Sequence, residues 1–92
     1  MRTIHKFTLV AADEQTIKLP HHAKILSVHN QREDICIWAL VDTEDKSDQS
    51  QYRIYVHGTG NIVSAPADAD FIGTVLLCSG DLVFHIFARI LS

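Results

Sequence analysis

Residues Ile35-Cys36-Ile37-Trp38-Ala39-Leu40-Val41 carry no polar side chain, and the run is closed by Gln31-Arg32-Glu33-Asp34 on one side and Asp42 on the other. It is far shorter than the roughly 20 residues of a membrane helix, and its β-branched and aromatic content marks it as a strand. Successive side chains of a strand point to opposite faces, so this one is apolar on both. An antiparallel strand with one wet face alternates instead. Leu82 to Leu91 poses the same problem, with only His85 and Arg89 polar. Both strands need cover on both sides, and 92 residues leave little spare chain to supply it. The expectation is a homo-oligomer, most simply a two-fold dimer. A closed barrel, or residues 64–70 lying over one sheet, would remove that need.

The rest of the chain has the same grain. Thr3 to Val10, Gln15 to Leu19, Lys24 to Asn30, Gln51 to Val56 and Phe71 to Cys78 also read as strands, separated by turn residues. No 3.6-residue period is sustained. The predicted fold is all-β: a small antiparallel β-sandwich or barrel of about seven strands, one domain over residues 1–92. Lys24–Asn30 and Ile35–Val41 stand at hairpin distance, and Phe71–Cys78 and Leu82–Leu91 form a second hairpin across Ser79-Gly80-Asp81. Pro20 cannot donate to a ladder, so it closes its strand or lies on an edge. Asp42 to Ser50 (DTEDKSDQS) has no apolar residue and reads as an exposed acidic loop, a long hairpin connection. It lacks the Gly that a Ca²⁺ loop needs at its sharp turn.

Chemistry is sparse. Net charge is −3 and the eight Lys and Arg are scattered, which argues against gripping duplex nucleic acid. No apolar stretch reaches membrane-helix length, and nothing at the N-terminus resembles a signal peptide, so a cytoplasmic protein is expected. Cys36 and Cys78 lie in apolar runs and read as buried thiols rather than a disulfide. Six histidines raise the question of a metal, but none is spaced to converge on one ion, and no metal or cofactor is expected. Ser27, Ser79 and Ser92 have no evident base, and Asp68 and Asp70 no rigid frame, so no catalytic residue is assigned and an enzyme is not expected.

The one stretch with ligand potential is Arg53 to Asn61. Arg53, Tyr55 and His57 alternate onto one strand face and offer a cation, a stacking ring and a titratable donor. Gly58, Thr59, Gly60 and Asn61 follow, where glycines let backbone N–H groups approach an anion. The same pattern describes a solvated strand face ending in a turn. Candidate interface residues are Trp38, His85, Arg89 and Lys6. The last two come from the first and last strands, which often pair in small sandwiches.

The series Ile4-His5-Lys6-Phe7, Gln15…Leu19-Pro20, Ala23-Lys24-Ile25-Leu26-Ser27-Val28, Ile37-Trp38-Ala39-Leu40-Val41-Asp42, Gly58-Thr59-Gly60, Phe71-Ile72-Gly73-Thr74-Val75 and Leu82-Val83-Phe84-His85-Ile86-Phe87 resembles a family of small uncharacterised proteins of tailed bacteriophages and prophages, classed as a domain of unknown function. The resemblance implies an accessory protein that counters host defence. It would sequester a small anionic ligand such as a nucleotide within an oligomer. Alternatives are an inhibitor or adaptor acting on a host protein, and a virion or assembly component.

Overall fold

The computed structural model describes residues 1–44 and 48–91; Asp45, Lys46 and Ser47 of the acidic loop, and Ser92, lie outside the described residues. Seven strands follow in chain order: β1 (Arg2–Thr8), β2 (Glu14–Pro20), β3 (Lys24–Gln31), β4 (Asp34–Asp42), β5 (Gln49–Gly58), β6 (Asp70–Leu77) and β7 (Leu82–Ile90). All pairings are antiparallel, in a three-stranded sheet ordered β1-β4-β3 and a four-stranded sheet ordered β2-β5-β7-β6. The fold is all-β. No helix among the described residues is long and apolar enough to cross a membrane.

Alternation along β5 builds the core. Ile54 and Val56 turn inward with Tyr52 behind them, and meet Ile37 and Val28 of the other sheet, with Val75, Ile86 and Ala88 alongside. Leu19, Ile37, Ile54 and Ile86 are wholly removed from water, each worth roughly 1.5–3 kcal/mol relative to exposure.

The two sheets meet along one side, where β3 and β6 run against each other with no ladder between them. Each of these strands slips register once, between Ile25 and Ser27 and between Phe71 and Gly73. Such bulges bend a strand, and here they turn the two edges toward each other. Gly73 belongs to this seam because a Cβ on it would lie 2.6 Å from Val28 Cγ1.

Both predicted hairpins form, β3–β4 and β6–β7. In the second, Cys78, Ser79 and Gly80 all take positive φ (52°, 57° and 93°), which reverses the chain tightly. Three expectations are corrected. The connection from β4 to β5 is a crossing between sheets, not a hairpin, and the loop is shorter than 42–50, because Asp42 ends β4 and Gln49 and Ser50 open β5. Ser50 is buried because it continues the inward positions of β5 opposite Leu19, and its hydroxyl is satisfied by His21 Nδ1 at 2.8 Å. The first and last strands do not pair: β1 lies on β4, and β7 between β5 and β6 in the other sheet.

Candidate functional site

On the four-stranded sheet, the outward positions of β5 are Arg53, Tyr55 and His57, as alternation requires, but the polar groups of Arg53 and His57 are used within the chain. Arg53 Nη2 contacts Glu14 Oε1 at 3.0 Å and Nη1 donates to Thr16 Oγ1 at 3.0 Å. The other oxygen of Glu14 accepts from Ser64 Oγ at 3.1 Å, and the Ser64 N–H donates to His57 Nε2 at 3.3 Å. An accepting Nε2 assigns the neutral ring's proton to Nδ1. His57 is only 6% exposed, with Tyr55 stacked at 6.4 Å and Phe87 tilted at 6.2 Å. Farther along, Asp68 Oδ2 accepts from Arg89 Nε at 3.0 Å.

These contacts draw residues 59–69 across the outer face as a strap. At its start the Thr59 N–H donates to Val83 O and the Asn61 N–H to Gly58 O, with Gly60 at φ 87°. His85 is held by two threonines, Thr59 at Nε2 (2.7 Å) and Thr74 at Nδ1 (3.1 Å). The chain itself therefore lies over part of the outward side of β7, the alternative that the sequence left open, with Val83, His85 and Phe87 half-buried and Arg89 exposed. Neither of two surface cavities touches Arg53, Tyr55 or residues 57–61. One, about 220 Å³, lies among Leu9, Asp13, Glu33, Ile35, Val56 and Phe84. The other, about 330 Å³, includes Lys24, Tyr52, Asp70 and Ile90.

The clamp has a pH signature. Hydrogen bonds from Arg53 and then Ser64 hold the Glu14 carboxyl below its ordinary 4.5. A depressed folded-state value means the stabilisation is present above the unfolded value and fades as pH falls through the folded one. Wild type is therefore expected to exceed Glu14→Gln in thermal midpoint at pH 7, and the gap to close below about pH 4. A gap unchanged down to pH 2.5 would refute the clamp.

The outward face of the three-stranded sheet is different. The register places Arg2, Ile4, Lys6 and Thr8 of β1 beside Cys36, Trp38 and Leu40 of β4, with Lys24, Ser27 and His29 of β3 on the far side. The His29 ring tilts against Trp38 at 6.2 Å. Lys6 Nζ donates to Gln31 Oε1, so its stem crosses β4 from one edge strand to the other. That crossing, with Thr8 Oγ1 at 3.8 Å from Sγ, leaves Cys36 1% exposed. Beyond it the face is open: Ile4 is 54% exposed, Trp38 and Leu40 are half-buried, and no described strand packs over them. β4, unlike β7, thus has one side with no described strand over it.

The predicted interface residues consequently divide. Lys6 and Trp38 share this open face, while His85 and Arg89 lie on the strapped face of the other sheet, engaged as above. Cys78 is exposed rather than buried, because its turn projects beyond the sheet. Its thiol is pushed up by Glu33, whose Oε2 accepts from the Cys78 N–H at 3.1 Å. His21 and His22 sit on a turn, not a strand, with rings 3.9 Å apart. No group of three or more metal-binding side chains occurs among the described residues.

Residues 1–92 match the model of a family described as Domain of unknown function (DUF7352). The chain belongs to this family. No curated protein and no solved structure matches it. Two sets of residues in this DUF7352 chain escaped the sequence reading. Glu14, Ser64 and Asp68 pin the strap, and nothing in their local pattern marks them. Ile4 and Leu40 complete the open face, and the doubly apolar β4 was their only signal.

Proposed function

We propose that this domain is a non-catalytic accessory binding protein that docks a partner protein on the open face of its three-stranded sheet. The observation that carries this reading is the apolar set Ile4, Trp38 and Leu40 on a face that no described strand covers. A strap, by contrast, crosses the outer face of the other sheet and engages Glu14, His57 and Arg89, while leaving Phe71 and Leu76 exposed. Uncovered apolar patches of this kind mark interaction surfaces. Arg2, Lys6 and Lys24 frame the patch, so the fitting partner presents an apolar surface ringed by carboxylates. The resemblance to phage proteins supports a bacterial host protein as that partner, met in the host cytoplasm, with host defence as the process countered. Sequestration of a nucleotide by the Arg53–Asn61 stretch has weaker support, because Glu14 and Thr16 already engage Arg53 and Ser64 engages His57.

The test is a comparison of two surface variants against proteins captured by the wild type from a bacterial lysate. Leu40→Asp, on the open face, is expected to lose a captured partner at least tenfold. Leu76→Asp, exposed on β6, is expected to retain it. The opposite pattern overturns the reading, as does a wild type that captures nothing. A rise in melting temperature with a cyclic nucleotide that Arg53→Gln abolishes would replace it with sequestration.

A further inference from the structure

We infer that the free edge of β1 pairs with β1 of a second copy, antiparallel and centred on His5, so that two three-stranded sheets become one of six. The backbone fixes which groups are available. The Leu9 N–H donates to Ile35 O, and the Thr43 N–H to Met1 O, both at 2.9 Å. Between these bonds the register runs without a break from Arg2 opposite Asp42 to Thr8 opposite Cys36. Antiparallel bonding alternates, so odd positions of β1 face β4. The N–H and C=O groups of Arg2, Ile4, Lys6 and Thr8 point away from the sheet. Such a row is a template for another strand.

The molecule treats its two outermost edges differently. On β2 the Val56 N–H bonds Asp13 O, so even positions point outward. Pro20 lies among them and removes a donor from that edge. β1 has neither proline nor bulge, and its only guards are the charges of Arg2 and Lys6. Those charges select a register.

A two-fold axis normal to the sheet keeps each side chain on its own face, so the pairing must centre on a residue. Centred on Ile4, it would set Arg2 against the second copy's Lys6. Centred on Lys6, it would set that ammonium against its own copy. Directly opposed like charges are unfavourable. Centred on His5, Arg2 meets Thr8, Thr3 meets Phe7, Ile4 stands opposite Lys6, whose stem leans back over β4, and all four outward residues bond. Centres nearer either end leave fewer bonds. The contact is isologous and closes at two chains. Because faces are kept, it also places the two open apolar faces side by side. The pairing does not depend on the docking reading.

The experiment is cysteine scanning in a Cys78→Ser background, since Cys36 is buried. His5 faces its own copy at a non-hydrogen-bonded position, where side chains approach most closely. Air oxidation of His5→Cys at micromolar concentration is expected to give mostly disulfide-linked dimer, while Ile4→Cys and Lys6→Cys stay at least tenfold less linked. Sedimentation is expected to give twice the chain mass for wild type and for Leu40→Asp. Ile4→Pro, which deletes one outward N–H and no bond to β4, is expected to give a single chain. A monomeric wild type at 100 µM, or linkage strongest at residue 4 or 6, overturns the proposal. A dimeric Leu40→Asp that has kept its partner refutes docking while leaving the pairing intact.

Discussion

Gly73→Ala is expected to lower the thermal midpoint by about 10–20 °C. The added methyl would lie 2.6 Å from Val28 Cγ1, and Val28 is 3% exposed, so neither group can turn away into solvent. Overpacking of this kind costs about 1–3 kcal/mol and sometimes more. At about 4–8 °C per kcal/mol in a domain this size, the shift is large. The effect is specific to the seam between β3 and β6, where no ladder shares the load. Val28→Ala destabilises by itself through lost packing. The double variant Gly73→Ala/Val28→Ala is nevertheless expected to be more stable than the sum of the two losses, by about 1–2 kcal/mol. Strict additivity in thermal or urea unfolding would show that the close approach is not what requires glycine.

His57→Ala is the second large effect. Its ring fills space between Tyr55 and Phe87, and its Nε2 receives the Ser64 N–H. Truncation removes the packing and the acceptor together, costing about 2–3 kcal/mol. The loss is expected to fall on one region: amides of residues 61–69 should exchange at least tenfold faster while those of Ile37 and Ile54 keep their relative protection. A ligand-binding histidine makes the opposite forecast, an unchanged midpoint with lost affinity. An unaltered midpoint and unaltered exchange in the strap would therefore return His57 to the ligand reading.

The comparison of sequence and structure divides along range in the chain. Alternation of Tyr52, Ile54 and Val56 against Arg53, Tyr55 and His57 assigned both faces of β5, because side-chain direction is local. The β3–β4 and β6–β7 hairpins were legible because their turn residues lie between the strands they join. The pairing of β1 with β4 leaves no such mark, and neither does the return of Ser64 over His57. Burial of Ser50 was hidden for a related reason: a hydroxyl reads as exposed until its partner, His21, comes from a distant turn. The doubly apolar runs turn out differently: a strap from the same chain crosses the outward side of β7, while β4 keeps one face without a described strand over it.

The strand order carries a kinetic meaning as well. Only β3–β4 and β6–β7 join strands that are neighbours in sequence; β1 must wait for β4, β2 for β5 and β5 for β7. Closing those long loops costs entropy before any ladder compensates for it, which puts domains of this topology in the millisecond-to-second range. Two early hairpins with greasy, half-zipped margins would then be the species present while ribosome-fresh chains search for the rest. Cooler, slower synthesis should favour recovery of the native product over aggregates.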